Sequence, residues 1–208
     1  MSTLPQFTSA YPRIMTYPAT LQLDAGHEVA RWRPLVHWLL VIPHAAIAYV
    51  LGTVSEVLAV VSWFIIVFTG KLPEGLANLQ CLVLRYTART YSYGLWLREP
   101  YPAFQFETMP ADPGGDPLRV DFQPALEGRN RLTVGLRLLW IIPVAIVGFF
   151  IYIGAALVVL VSFFAVLFTG TYPAGMRDFV VGAFRFGIRV NDYAVLLTDE
   201  YPPFNLQE

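Results

Sequence analysis

Four arginines carry the most suggestive chemistry in this chain. Arg85 and Arg89, and again Arg185 and Arg189, stand four residues apart, the spacing that brings two side chains together one turn apart on a helix. Such a pair can close on one lipid phosphate or one partner carboxylate through charge-assisted hydrogen bonds. It can equally serve the fold, bonding helix ends, the Tyr-Pro-x-Phe segment or Asp192 of its own unit. Glu56 is the only charge between Pro34 and Gly70, and an ionisable group in so apolar a run needs a partner, a task or a place at an interface. Thr53, Ser55 and Ser62 make too thin a polar chain beside it for a proton path. Cys81 with His27, His37 and His44 would supply a nucleophile and a base, yet Cys81 sits among Leu79, Leu82 and Val83, the setting of a buried, inert thiol. His37 and His44 are seven residues apart and share a helix face. No third ligand completes a metal site there, and packing or interfacial anchoring accounts for both. The candidates are therefore Arg85, Arg89, Arg185 and Arg189 for a lipid or a partner, and Glu56 as an intramembrane polar group. No catalytic residue, cofactor or metal is expected.

These residues belong to a unit present twice. From Arg31/Arg131 to Phe104/Phe204 the chain repeats itself without a gap at an offset of 100 residues. Pro43, Ser62, Phe68, Thr69, Gly70, Pro73, Arg85, Arg89, Tyr93 and Tyr101 recur as Pro143, Ser162, Phe168, Thr169, Gly170, Pro173, Arg185, Arg189, Tyr193 and Tyr201. A residue whose counterpart matches is one the shared unit needs. The arginine pairs pass that test. Glu56 corresponds to Ala156, Cys81 to Val181, His37 to Arg137 and His44 to Val144.

Hydrophobic residues make up 56% of the chain and charged residues 14%, against about 45–50% and about 25% in soluble domains, which predicts a membrane protein. The net charge of −1 carries no nucleic-acid signature. Two charge-poor spans, Pro34–Gly70 and Leu138–Thr171, exceed the roughly 20 residues of one crossing and fall short of two full ones. One straight helix through either would measure about 50 Å against a hydrocarbon core of about 30 Å. Each span therefore reads as a hairpin of two short helices, transmembrane or re-entrant, with tips near Tyr49–Val54 and Phe149–Gly154, where Gly52, Gly148 and Gly154 lend backbone freedom. All 14 Lys and Arg residues lie outside the spans. A hairpin returns the chain to its starting side, so every basic residue shares one compartment, the cytoplasm by the positive-inside tendency. Glu56 then sits by the first tip at the far interface.

Each span ends in Phe-Thr-Gly-x-x-Pro-x-Gly, with Gly70 and Gly170 suited to a helix C-cap and Pro73 and Pro173 to the first turn of the next helix. Polar residues then fall at Asn78, Arg85, Arg89 and Ser92, and at Asp178, Arg185, Arg189 and Asp192, on one face of an otherwise apolar helix over residues 74–97 and 174–197. That pattern predicts an amphipathic helix in the interface plane or over the hairpin base, its arginines reaching water and phosphate. Leu21–Asp24 and Leu118–Asp121 alternate as strands do, with the register between the copies shifted by about three residues there. Tyr101–Phe104 and Tyr201–Phe204 close the units as extended chain, and opening and closing strands are expected to pair in a small cytoplasmic sheet. Gly114 and Gly115 between Pro110 and Pro117 mark a linker. The expected organisation is a cytoplasmic tail over 1–16 without a cleavable signal peptide, a repeat over 17–105, a linker over 106–116 and a repeat over 117–208.

The double pattern Phe-Thr-Gly-x-x-Pro-x-Gly, Arg-x-x-x-Arg-x-x-x-Tyr and Leu-x-Asp/Glu-x-Tyr-Pro-x-Phe resembles the bacterial membrane family of domain of unknown function 4389, in two tandem copies. The second copy, closing on Leu197-Thr198-Asp199-Glu200-Tyr201-Pro202-Pro203-Phe204, is the nearer match, and the first departs with Arg98-Glu99-Pro100. The resemblance implies a membrane-embedded architecture and transfers no catalytic residue. The expectation is an all-α integral protein of the cell membrane, multi-pass, with termini and most charges cytoplasmic. It comprises two repeats, each a short transmembrane or re-entrant helical hairpin followed by an amphipathic interfacial helix, with short cytoplasmic β-strands. The expected function is that of a non-enzymatic scaffold or accessory subunit of a larger membrane complex. Its partners would be lipids and a membrane protein or a second copy, and not nucleic acid. The alternative is a lipid-binding or transport module with a site between the repeats.

Overall fold

The computed structural model describes residues 17–207, so the tail expected over 1–16 lies outside the described residues. Strand β1 (Ala19–Leu23) is followed by helices α1 (Arg33–Leu40), α2 (Ile42–Thr69) and α3 (Glu74–Gly94). Strand β2 (Leu118–Phe122) then leads into α4 (Arg131–Gly135), α5 (Arg137–Thr169) and α6 (Ala174–Ala194). The fold is mostly helical, and α2 and α5 are long and apolar enough to cross a membrane.

Neither apolar span is a hairpin. Both expected tips lie inside unbroken helix, in α2 and α5. A turn there would strip backbone groups of their helical partners among side chains that offer no replacement, and an unbroken helix pairs them all. The first span is broken only near its N-terminal end, and the second is helical almost throughout. Val41 separates α1 from α2, with Pro43 in the first turn of α2, and Leu136 separates α4 from α5. Gly148 and Gly154 serve contact rather than turning, since a Cβ would lie 3.2 Å from Phe186 at the first and 3.3 Å from Phe179 at the second. The chain reverses at Gly70 and Gly170, left-handed at φ 72° and 75°, whose N–H groups bond Ile66 and Val166 carbonyls at 2.7 and 2.8 Å. Only glycine takes that conformation without cost. Pro73 and Pro173 stand at the caps just before α3 and α6.

Helix α3 accordingly runs back along α2, and α6 along α5. Gln80 Nε2 donates to the Ser55 carbonyl at 2.9 Å, His44 Nδ1 meets the Tyr86 hydroxyl at 2.8 Å, and His37 Nδ1 donates to the Tyr93 carbonyl at 2.9 Å. These two helices are not the water-facing interfacial helices expected. They are buried along most of their length, because their arginine faces turn into the protein.

The sheet pairs the two opening strands with each other, β1 antiparallel to β2 with Leu21 opposite Val120. The closing Tyr-Pro-x-Phe segments do not join it. The symmetric partners Leu21 and Val120 are one residue short of the offset of the rest, not the three read from the sequence. Ala19, Leu21, Leu118, Val120 and Phe122 are buried, while Gln22, Arg119 and Asp121 point outward and are exposed. The strands are exchanged between units: β1 packs on α6 and β2 on α3. The exchange continues past the sheet. Val29 N donates to Gly170 O at 2.9 Å and Arg129 N to Gly70 O at 3.2 Å, with Tyr172 N to His27 O and Leu72 N to Leu126 O both at 2.8 Å. Helices α3 and α6 end alike, in bonds from Leu97 N to Ser92 O and Leu197 N to Asp192 O at 3.0 Å across left-handed Trp96 and Leu196. That conformation costs a non-glycine residue about 1–2 kcal/mol, which burial of both side chains in the core offsets.

Candidate functional site between the repeats

The arginine pairs are turned onto the chain's own carbonyls. Arg85 Nε donates to Val120 O at 3.0 Å, and its Nη2 to Met109, Pro110 and Ala111 carbonyls at 3.0, 2.8 and 3.1 Å. Arg89 Nε donates to Leu118 O at 3.2 Å, Nη2 to both Asp112 carboxylate oxygens at 2.9 and 3.0 Å, and Nη1 to the Gln105 side chain. In the second copy Arg185 Nε donates to Leu21 O at 3.1 Å, and Arg189 reaches the Asn205 side chain at 2.8 Å, its carbonyl at 2.6 Å and the Gln207 carbonyl at 3.0 Å. Arg85 and Arg185 thus each fasten one unit's helix to the other unit's strand. The gap beside Arg85 and Arg89 holds about 10 Å³, room for one water and not for a phosphate. Asp192, a suggested partner of Arg189, is not bonded to it.

Acidic residues of the linker and, in the second unit, of the closing motif complete these networks. The side chain of linker residue Asp112 is buried, and besides Arg89 it accepts from Val120 N and Gly114 N at 2.8 Å, with Arg85 Nε 3.5 Å away. Buried Arg98 pairs with Asp116 and donates to the Arg89 carbonyl at 3.2 Å. In the second unit Asp199 accepts from Arg129 at 2.8 and 3.0 Å and from Arg137 at 2.7 Å. Burial alone would raise the Asp199 carboxyl, but the bonds from Arg129 and Asn130 hold it below the usual carboxylate range. The Arg137 guanidinium lies 3.7 Å from the Tyr193 ring centre, and its counterpart His37 stacks on Tyr93 at 4.1 Å. One aromatic platform thus takes a cation in one copy and an imidazole in the other. Burial lowers the proton affinity of His37, in keeping with an Nε2 that accepts from Arg33 at 3.3 Å. Asp192 is buried, and its Oδ2 meets no hydrogen-bond partner among the described residues. Burial raises its carboxyl to about 8, with Arg129 and Arg137 pulling the other way. Cys81 is fully buried and its thiol is pushed up to about 12, burial leading and Asp192 adding. His37 and His44 are each committed to a tyrosine of α3, and His27 is exposed.

Opposite the sheet, the two units line a half-open cavity of about 910 Å³. At about 100° per residue, Thr87 lies half a turn around α3 from Arg85 and Arg89, so the face that grips β2 and the face that lines the cavity are opposed. Gly187 stands likewise to Arg185 and Arg189 on α6. Thr87, Ala88 and Tyr91 with Ala183, Gly187 and Asn191 form the floor; Gly52, Ser55, Glu56 and Ala59 of α2 and Tyr152, Ala155, Ala156 and Val159 of α5 form the walls. Glu56 is therefore not at a tip. It lies midway along α2, exposed, and is the one carboxylate among the described residues of a mostly apolar lining. Ser55 bonds the Gln80 side chain behind this wall. Sequence reasoning offered a site between the repeats only as its alternative and did not assign this lining, which no single repeat contains. It also missed the Ser55–Gln80 pair, for which a signal exists: the counterparts Ala155 and Val180 are both apolar, so the two polar partners are absent together.

A duplicated, mostly helical chain with two long apolar helices around a shared cavity defines the class of this protein. It belongs to the family described as Domain of unknown function (DUF4389), whose sequence model matches residues 31–105 and 131–205, one match per repeat. Comparisons with curated proteins and with solved structures return no match. Both matched segments begin after the strands, so the exchanged sheet lies outside them.

Proposed function

We propose that the protein is a non-enzymatic, membrane-embedded module that holds a lipid in the cavity between its repeats. The observation that carries this reading is the cavity itself. Its volume of about 910 Å³ lies within the roughly 300–1,000 Å³ of small-ligand sites, which are mostly apolar with a few placed polar groups. Here those groups are Glu56, Thr87, Tyr91, Tyr152 and Asn191, an amphiphile's requirements of apolar wall and sparse polarity. Glu56 supplies a carboxylate for a hydroxyl or cationic head group. A solute pathway is less well supported, since one carboxylate on an apolar wall offers no linked series of polar groups.

A second reading, the scaffold or accessory subunit, draws on a different observation. The outer faces of α2 and α5 expose large apolar side chains, with Phe68 74% and Phe168 70% accessible, and a membrane partner could cover them. Native mass analysis of protein extracted in mild detergent separates the two. Lipid retained at fixed stoichiometry, and lost in Ala156→Trp, is the expected result. A lipid-free protein held to one partner protein would sink the lipid reading and leave the scaffold.

A further inference from the structure

We propose that the protein lies flat in a single membrane leaflet, with α2 and α5 running in the membrane plane and the polar face of the sheet in water. The inference rests on the membrane-embedded reading above and fixes how the embedding is done.

The exchanged strands define a two-fold axis. The bonds Arg85 Nε to Val120 O and Arg185 Nε to Leu21 O are reciprocal, as are those joining Arg129 to Gly70 and Val29 to Gly170. Leu21 and Val120 are paired and both face inward. A rotation that exchanges them while keeping them inward must run perpendicular to the sheet. Followed through α3 and α6, that axis emerges in the cavity between α2 and α5.

Helices α2 and α5 lie across this axis. Trp63 near the C-terminal end of α2 donates to Val134 O at 2.9 Å, just before α5 begins, and α1, just before α2, packs on α5. The end of each long helix therefore meets the start of the other, and antiparallel helices related by a two-fold axis run across it. If they stood upright in a bilayer, the axis would lie in the membrane plane. The exposed sheet residues Gln22, Arg119 and Asp121 would then point sideways into hydrocarbon. Charged side chains such as Arg119 and Asp121 are costly there.

Turned flat, the charged sheet face meets water and the exposed apolar faces of α2 and α5 meet the leaflet, while Glu56 is left to the cavity and its occupant. Ile42, Tyr49, Val57, Phe64 and Phe68 expose an apolar stripe along the whole of α2, and a helix about 10 Å across fits one leaflet of about 15 Å, half the hydrocarbon core. Arg31 beside Gly170, and Arg131 and Lys71 beside and after Gly70, are exposed at the C-terminal ends of the long helices. There they meet anionic head groups. The occupant of the exposed apolar face is thus a lipid leaflet, and the cavity opens into it.

Depth measurements on nitroxide-labelled single-cysteine variants test this, in a Cys81→Val background that copies Val181. The labelled positions are Tyr49, Val57 and Phe64 on α2 and Arg119 on the sheet, in vesicles of phosphatidylethanolamine and phosphatidylglycerol. All are exposed, so labelling spares the core. The expected result is one common depth for the three α2 sites, within about 5 Å, one helix radius, with Arg119 in water. A label at Val57 near mid-bilayer with Tyr49 and Phe64 rising toward opposite faces would overturn the flat orientation while leaving a membrane protein. Water-like accessibility at all four sites would overturn the membrane-embedded reading and this inference with it.

Discussion

Ser55 and Gln80 form a buried polar pair in one repeat and a buried apolar pair, Ala155 and Val180, in the other, so a double-mutant cycle between the two states has its end point already present in the chain. Ser55→Ala removes the hydroxyl that bonds the Gln80 side-chain oxygen and leaves that oxygen buried without a partner. Gln80→Val likewise strands the Ser55 hydroxyl. Each orphaned group costs about 1–3 kcal/mol, whereas replacing both partners by apolar groups is close to neutral. In a chain of this length about 1 kcal/mol moves the melting temperature by about 2–4 °C. Each single variant is therefore predicted to melt about 2–12 °C below wild type and the double variant within about 2 °C of it, when unfolding is followed by circular dichroism in mild detergent. Losses that simply add, with a coupling under about 0.5 kcal/mol, would refute the claim that these side chains depend on each other.

Three other perturbations follow from the same geometry. Asp112→Ala leaves Arg89 buried without its carboxylate and is predicted to destabilise by about 3–5 kcal/mol, read by denaturant unfolding, with a loss below about 1 kcal/mol counting against the network. The raised Asp192 carboxyl means the folded protein keeps a proton that the unfolded chain releases, so stability is predicted to fall as pH rises from about 4 to about 8 and to level off above. Melting curves across that range should lose this slope in Asp192→Asn, and an unchanged slope would assign the pH dependence elsewhere. Cys81, fully buried with its thiol pushed up to about 12, is predicted to resist a thiol reagent at pH 8 in the folded protein and to react on denaturation. Rapid labelling of the native state would mean that α3 opens.

Much of the unit was legible because local chemistry writes it. Gly70 and Gly170 mark their caps with a conformation few other residues accept, the alternating segments become β1 and β2, and the repeat offset carries across α2, α3, α5 and α6. The hairpin reading fitted each span to the thickness of a bilayer, whereas both expected tips lie inside unbroken helix. The arginine face of α3 read as water-facing because the groups that satisfy it, the Met109–Ala111 carbonyls and Asp112, are 20 or more residues away. Nothing local announces that a linker will return there. Strand exchange hides for the same reason: Leu21 and Val120 each read as the opening of their own unit, and only tertiary packing sets each on the other's helix. The cavity is a property of the assembled pair, and Glu56 gained its setting only when Ala156 was brought opposite it across the two-fold.

Lipid in the cavity is the central claim, and photocrosslinking in native membranes tests it most directly. A benzophenone side chain placed at Ala156, on the cavity wall, is predicted to give a lipid adduct, and the same group at Gln22, on the outer face of the sheet, to give none. A protein adduct at Ala156, or equal lipid labelling at both positions, would contradict the account.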